Sequence, residues 1–375
     1  MKISGIKCKY TLTALNCDNN TVKLVATYSR MKKNCVIFFN GRFFRDTFND
    51  CEPYDRKTGV FYVPTSILTD NTSIRLETTD LLFPAKRSRI RLSASDIHYT
   101  DEEFEMNNCD NRLSDKKLIE KETPCTGCDY THELYTTKLG KPVHVFTLVC
   151  DTDKTKLYIG TPDDGLKSRK VKATIPEMIA SAENNGKKVI ASINGDFFDM
   201  FGDMHPSGLT VKKGRVIANP ASKRPFIGVT KDGKAVITDI TENPDIIENL
   251  DCAAAGLQRI VKNGEVYDFA IGESFGYTPH PRSAVGITAD GKVVLTVVDG
   301  RIPDYSNGAS LYDLALLMLE RGCTQAINID GGGSSAVYIK HNGNTDLMSV
   351  PADLKRPNDK LIRKEANCIM VTENG

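Results

Sequence analysis

The sequence has no uninterrupted apolar span approaching the roughly 20 residues that a membrane-crossing helix requires. Its opening stretch, MKISGIKCKYTLTALNCDNN, carries no apolar run of signal-peptide length. No membrane insertion is expected; cytoplasmic synthesis, followed by virion association or release, is the expected location. Neither charge is in excess: 49 basic residues stand against 48 acidic ones, which gives no general attraction to nucleic acid or to an anionic membrane. The lone Cys-x-x-Cys in PCTGCDY, Cys125 and Cys128, has no second Cys-x-x-Cys or His-x3-His to complete a zinc site. Half of a metal site, a redox pair, a linker turn and a local disulfide remain as its readings. Other cysteines among the 11, such as Cys150, Cys323 and Cys368, lie in or beside apolar runs and read as reduced and buried. EF-hand spacing is absent too. Carboxylate-rich loops leave Ca²⁺ as a metal option, and the sequence requires no cofactor.

What is present is an ordinary globular composition, 40% hydrophobic and 26% charged over 375 residues, enough for two or three domains. From residue 1 to 98 the chain is a series of strand-length runs, KLVATYS, CVIFF, GVFYVP, SIRLETT and SRIRLSA, separated by Asn, Asp, Gly and Pro. That pattern predicts a small all-β, sandwich-like domain serving binding or attachment, through which the protein would assemble into a virion or oligomer. Residues 99–130 turn polar and acidic and read as a linker with at most one short helix. Residues 131–375 mix types, so the expected fold is α+β, with mixed sheets and helices.

Within that last region, TIPEMIASAENNG predicts a helix capped by Thr174 with Glu177 three residues on and Gly186 as its stop. SLYDLALLMLERG predicts a second, capped by Ser310 and ended by Gly322. Each helix runs into an apolar strand followed by a polar cluster, which places Asn194, Asp196, Asp199, Asn328 and Asp330 at or near strand ends. Lys213-Gly214, Asp232-Gly233, Asn263-Gly264 and Asp290-Gly291 read as hairpin tips. Two of these belong to a repeat, RPFIGVTKDGKAVIT from Arg224 and RSAVGITADGKVVLT from Arg282. The second copy follows GESFGYTPHP, which gathers Glu273, His280 and Arg282 in a Gly/Pro-rich loop.

The segment AINIDGGGSSAVYI is over-supplied with glycine for a turn alone, which points to close approach of a ligand to that backbone. No lysine follows the glycines, so a phosphate-binding P-loop is excluded. A dinucleotide fingerprint and a nucleophile elbow both need a helix where SSAVYIK predicts a strand. A serine hydrolase using Ser334, with His280 or His205 as base, is a weaker alternative. What remains is a strand–turn–strand loop whose amides form a nest for an oxyanion or a sugar hydroxyl, with Asp330 at its entrance. Asp196, Glu273 and Asp299 supply further carboxylates, and Arg282 and Arg363 supply guanidiniums.

SINGDFFD, HPSGLTVKKGRVI, HPRSAVGITADGKVVLTVVDGR, SLYDLALLMLERGCTQAINIDGGGSSAVYI and RKEANCIMV, in that order, resemble the phosphodiester glycosidase family over about residues 130–371. The resemblance implies hydrolysis of the glycosidic C–O bond of a sugar-1-phosphodiester, an N-acetylglucosamine α-linkage or a related cell-surface glycan, to free sugar and phosphomonoester. It also implies roles. Asp330 would activate water or attack the anomeric carbon, with Asp196 or Glu273 as partner. Arg282, presented by the loop of His280, and Arg363 would hold the phosphate. Asn194 and Asn367 would orient the substrate, and Gly331, Gly332, Gly333 and Ser334 would bind sugar hydroxyls or phosphate. The partner expected is a sugar-phosphate or glycan substrate. A glycan-binding attachment protein with an inactive glycosidase-like domain is the alternative from another class.

Overall fold

A computed structural model describes residues 113–137, 140–166, 171–199, 204–219, 221–267, 279–302, 304–353 and 362–374, and, before them, strands and one flanking residue at 10–18, 21–28, 32–39, 42–46, 58–64, 72–80, 87–93 and 98–99. The chain divides into two compact units, Met1–Asn111 with Ala270–Thr278, and Arg112–Phe269 with Pro279–Gly375.

In the first unit the strands are β1 (Tyr10–Asp18), β2 (Thr21–Tyr28), β3 (Lys32–Phe39), β4 (Arg42–Asp46), β5 (Thr58–Pro64), β6 (Ser73–Asp80), β7 (Arg87–Ser93) and β8 (His98–Tyr99). They form two four-stranded sheets, ordered β5-β2-β1-β8 and β4-β3-β6-β7. All five runs read from the sequence fall on strands.

The second unit begins with β9 (Leu113–Cys125), β10 (Cys128–Thr137), β11 (Pro142–Cys150) and β12 (Thr155–Gly160), then α1 (Ile175–Asn184) and β13 (Val189–Asn194). It continues through β14 (Thr210–Lys212), β15 (Arg215–Ala218), β16 (Phe226–Thr230), β17 (Ala235–Thr238), α2 (Ile246–Asn249), β18 (Leu250–Ala255), β19 (Gln258–Lys262) and β20 (Glu265–Val266). It closes with β21 (Arg282–Thr288), β22 (Val293–Val298), α3 (Leu311–Glu320), β23 (Cys323–Ile329), β24 (Val337–His341), β25 (Asn344–Leu347) and β26 (Cys368–Glu373). Three sheets result, ordered β20-β19-β23-β21-β22-β11-β10-β9, β12-β26-β13-β24-β25 and β15-β14-β18-β16-β17. Their described ladders are antiparallel, not mixed. The unit is mostly β, and α+β fits it only loosely.

Local chemistry explains the elements. Thr174 and Glu177 form a reciprocal capping box on α1, and Ser310 and Asp313 form one on α3. Gly186 and Gly322, just past the two helices, take positive φ values of 82° and 79°, the left-handed geometry that ends a helix without a Cβ clash. The four predicted hairpin tips connect β14–β15, β16–β17, β19–β20 and β21–β22. In both copies of the repeat a threonine hydroxyl, Thr230 or Thr288, accepts from the amide of Lys234 or Lys292 at 3.1 and 3.0 Å. β13 and β22 are buried at every residue, and their near-continuous apolar runs are those of strands covered on both faces. Ile190, Ile193, Leu295, Val297, Ile327 and Ile369 belong to one apolar cluster.

Two expectations are corrected. From Leu113 onward the presumed linker is the β9–β10 hairpin at the edge of the eight-stranded sheet. Its polarity has a different cause: residues 114–121 of β9 are exposed, so both faces of the strand carry polar side chains. Cys125 and Cys128 are opposite each other across its turn, as free thiols. The Cys128 sulfur also lies 3.7 Å from that of a third cysteine, Cys150. Among the described residues no helix is long and apolar enough to cross a membrane.

One buried ion pair joins the sheets. Lys212 on β14 reaches Asp164 at 2.5 Å and Thr161 at 2.8 Å, and Tyr158 on β12 donates to the same carboxylate at 2.8 Å. The Lys212 and Asp164 side chains are 0% and 1% exposed, and burial pulls the ammonium below its ordinary pKa against the pull of Asp164. Removing one partner strands the other charge in the core. Lys212→Met is therefore expected to cost about 3–5 kcal/mol in urea unfolding, and Lys212→Met combined with Asp164→Asn to recover much of that loss.

Candidate active site

β13 and β26 run antiparallel with Asn194 opposite Cys368, so residues 194–196 leaving β13 meet residues 365–367 entering β26. The end of β23 is tied to the same place. Asn194 Nδ2 donates to the Asp330 carbonyl at 2.6 Å, and the Asp330 amide donates to the Gly195 carbonyl at 3.1 Å. Asn367 Oδ1 accepts from the Asp196 amide at 2.8 Å, while its Nδ2 donates to Thr210 on β14 at 3.3 Å. Three strand ends from two sheets, and the start of a strand from the third, thus converge on one polar cluster.

Three carboxyl groups occupy it. Asp196 is 1% exposed, and its Oδ2 accepts from the Gly208 amide at 2.6 Å. Asp330 accepts from the Gly331 amide at 2.8 Å and from the Ser334 hydroxyl at 2.7 Å. Glu365 is 3% exposed. Burial is the largest cause of a raised pKa at all three, well above the ordinary range at Asp196 and Glu365. The charge of Asp330 pushes both of these further in the same direction. Hydrogen bonds from Ser334 and Gly331, and the nearby Arg363, hold Asp330 back. Carboxyls so arranged do not all ionise together near neutral pH. The cluster therefore holds a proton beside an acceptor, the requirement for acid–base work on a substrate.

Arg363 completes the cluster. Its Nε and Nη2 make a two-pronged ion pair with Asp353 at 2.8 and 3.1 Å, and its Nη1 donates to Ser334 at 3.3 Å. The glycines have a physical reason here. A Cβ at Gly333 would collide with Asp353 and Arg363, and one at Gly331 would lie 2.8 Å from the Pro281 carbonyl oxygen. Gly332 has φ 65°, and a Cβ there would sit 3.0 Å from Arg301 Nη1. The loop thus admits two arginines from other segments.

Several sequence-stated roles change on this geometry. The Gly331 amide is spent on Asp330, that of Gly332 on the Pro281 carbonyl at 2.9 Å and that of Ser334 on the Gly331 carbonyl at 3.2 Å, so these amides do not form an anion nest. Asn194, whose Oδ1 accepts from Ser283 at 2.7 Å, and Asn367 are both 0% exposed. Their amides fix Asp330 and Asp196 instead of facing a ligand. Arg282 is 2% exposed and donates from Nε to the Ala309 carbonyl at 3.1 Å. His280 accepts from Arg301 Nε at 3.3 Å through Nδ1. Ser334 gives its hydrogen to Asp330 and neighbours Arg363, not a histidine, so the serine-hydrolase arrangement is not formed. The carbonyl of His205 accepts from the Asp199 amide at 3.2 Å. Glu273 lies outside the described residues. Among those residues no group of three or more His, Cys, Asp or Glu side chains is placed to hold a metal ion.

Glu365, Arg224, Arg301 and Asp353 were not singled out for the site from the sequence. For Glu365 a signal existed. In the extended stretch RKEANC, Arg363, Glu365 and Asn367 alternate, which puts them on one side of the chain. Arg301 and Asp353 gave none, since they reach the site only through folding.

Behind the cluster, Asp299 follows β22 and is 1% exposed. Its Oδ2 accepts from the Val350 amide at 2.7 Å and from the Tyr305 hydroxyl at 3.0 Å, and its carbonyl accepts from Ser306 at 2.6 Å. One residue therefore anchors both the segment carrying Arg301 and the segment carrying Asp353. Burial pushes its carboxyl up to about 7, against the opposing pull of the Val350 and Tyr305 bonds.

Buried carboxyls and arginines gathered at the strand ends of a β-rich domain are groups suited to moving protons beside an anion. Residues 187–372 match the model of the phosphodiester glycosidase family. Similar proteins include the N-acetylglucosamine-1-phosphodiester alpha-N-acetylglucosaminidases of mouse, 26% identical over 179 residues, and human, 27% identical over 183 residues. Each match covers 43% of this chain and 33% of the relative. A SPbeta prophage-derived uncharacterized protein of Bacillus subtilis, YomE, is 44% identical over 61 residues, 16% of this chain and 9% of that protein. The chain thus spans a third or less of the length of these relatives. In fold it is similar to the zebrafish N-acetylglucosamine-1-phosphodiester alpha-N-acetylglucosaminidase catalytic domain auto-inhibited by pro-peptide, with a TM-score of 0.55 and 20% identity over 69% of this chain and 88% of that one. A hypothetical protein from Synechocystis is similar in fold at a TM-score of 0.51 and 11% identity, over 98% of this chain and 81% of that one.

The raised pKa of Asp299 fixes the sign of a stability effect. The folded protein keeps this proton from the ordinary value of 3.8 up to about 7, a window in which the unfolded chain has lost it. The stabilisation is full below the lower value and is lost as pH rises through the upper one. Relative to Asp299→Asn, wild-type stability should fall by about 4 kcal/mol between pH 4 and 8, read by denaturant unfolding at each pH. Parallel pH curves for the two proteins would refute it.

Proposed function

We propose that the domain hydrolyses the glycosidic C–O bond of a sugar-1-phosphodiester, releasing free sugar and a phosphomonoester. The observation that carries this reading is the pairing of Asp330 with the buried Glu365, whose carboxyl the Asp330 charge pushes further up, and the Arg363 guanidinium that acts on both. The activity for which the mammalian relatives are named supports an N-acetylglucosamine α-1-phosphodiester as the substrate class. The likeness to a prophage-derived protein supports a phage-borne chain acting on a cell-surface glycan.

In this reading Asp330 is the reacting carboxylate. Bonds from Gly331 and Ser334 leave it aimed, and Arg363 favours its ionised form. It takes a proton from the water that attacks the anomeric carbon, or attacks that carbon itself. Glu365, more deeply buried, keeps its proton, so that two adjacent negative charges are avoided. The bond that breaks lies between the anomeric carbon and the phosphate oxygen, and the electron pair leaves with the phosphate. Because a phosphate ester is already a good leaving group, protonation of that oxygen is less necessary than in ordinary glycoside cleavage. In this reading Arg363 and Arg301 stabilise the charge it acquires.

Incubation of an N-acetylglucosamine α-1-phosphodiester in ¹⁸O water should put the label in the sugar, read by mass spectrometry. Label in the phosphate would mean cleavage at phosphorus and would overturn the reading. Asp330→Asn should lower kcat by about 10³-fold or more with the fold intact by circular dichroism. A near-normal rate would remove Asp330 from the chemistry.

A further inference from the structure

Two polar atoms beside the reacting carboxyls lack a hydrogen-bond partner although both are sealed from solvent: Oδ1 of Asp196 and Nη1 of Arg224. Buried polar atoms are nearly always paired, so two orphans together call for an explanation. They face each other at 3.9 Å, beyond the 2.7–3.2 Å span of an N–H···O bond. The rest of each residue is held. Asp196 is fixed through Oδ2 by Gly208 at 2.6 Å and through its amide by Asn367 at 2.8 Å. Arg224 is fixed by its amide bond to Ser222 at 3.3 Å and by the Phe197 ring, whose centroid lies 5.9 Å from the guanidinium. Gly208 lies against both: a Cβ there would clash with Ala255 and lie 3.2 Å from Asp196 Oδ2 and 3.6 Å from Arg224 Cδ. The Arg224 side chain is 33% exposed and that of Asp196 is 0%, so the pair lies at the margin between core and solvent.

We propose that Asp196 and Arg224 form a subsite for one hydroxyl group of the substrate sugar, whose single oxygen bridges the carboxyl and the guanidinium. The chemistry of the two orphans selects that ligand. A hydroxyl can donate to the carboxylate while accepting from the guanidinium. A phosphate oxygen has no proton to offer Asp196 Oδ1, and an ammonium only donates and would be repelled by Arg224. The influence of the Asp330 charge on Asp196 places the subsite beside the reacting centre. Asp196 is then a recognition residue, distinct from Asp330 and Glu365, which carry the proton chemistry. The naming of the ligand as a sugar rests on the glycosidase reading; the orphan pair itself does not.

The test crosses enzyme variants with substrate analogues. Wild type, Arg224→Ala and Arg224→Lys are assayed on methyl N-acetyl-α-glucosaminyl phosphate and its 3-, 4- and 6-deoxy forms. Arg224→Ala should raise KM about 10- to 100-fold on the parent with kcat changed only a few-fold, the signature of lost binding. One deoxy form should show the same loss in wild type and no further loss in the variant. Arg224→Lys, which keeps the charge but not the Nη1 position, should not restore KM. Equal losses on every deoxy form, or full rescue by lysine, would overturn the subsite and leave the glycosidase reading standing. If wild type cleaves none of the esters, that reading fails instead, and a crystal soaked with free N-acetylglucosamine decides the subsite. A sugar oxygen bridging Asp196 and Arg224 upholds it. A direct ion pair between them, or no sugar there, overturns it.

Discussion

The site depends on the two hydrogen bonds that join the ends of β13 and β23, from the Asn194 side chain to the Asp330 carbonyl and from the Asp330 amide to the Gly195 carbonyl. These strands belong to different sheets, and each sheet satisfies its own backbone by antiparallel pairing. Only at the strand ends are backbone groups left for cross-sheet bonds. The cross-link sets Asp330 opposite the Glu365–Asn367 stretch, and the carboxyl cluster follows from it. A buried asparagine with both ends of its amide committed is well suited to such a joint, because it donates and accepts without adding charge.

Around that joint the protein balances an electrostatic problem. Three carboxyls in a poorly hydrated cluster repel one another, and each additional ionisation becomes harder. Arg363 and Arg224 moderate this in different ways. Arg363 is held at a fixed distance by its paired bonds to Asp353, so it favours ionisation of Asp330 without collapsing onto it. Arg224 stops 3.9 Å from Asp196, outside hydrogen-bond reach, and lowers the cost of its ionisation without bonding to it. Asp299, set behind both loops, lets the two arginine-associated segments share one anchor.

Local signals were legible wherever a few neighbouring residues settle the outcome. Thr174 with Glu177 and Ser310 fixed the helix starts, Gly186 and Gly322 their ends, and Asp-Gly, Asn-Gly and Lys-Gly pairs the hairpin tips, since capping and positive φ are decided within one turn of chain. The polar composition of residues 113–125 misled for the same reason. An edge strand exposed on both faces has no apolar face to advertise itself, and only pairing with β10 makes it a strand. The triple glycine was a correct sign of close approach, but the approaching groups are Arg301, Arg363, Asp353 and the Pro281 carbonyl.

The sequence by itself determined the two longer helices, the four hairpin tips, the family likeness and the placing of Asn194, Asp196 and Asp330 near strand ends, because these follow from periodicity, turn chemistry and ordered motifs along the chain. Only the tertiary structure decided which of them have their polar atoms committed to the scaffold. Asn194 and Asn367 have the residue type of ligand-binding groups, yet their side-chain amides bond within the protein. Glu365, Arg224 and Asp353 enter the site through contacts between segments far apart in sequence. The protonation of a carboxyl depends on burial and on charges brought near it by folding, and no local pattern of residues encodes either.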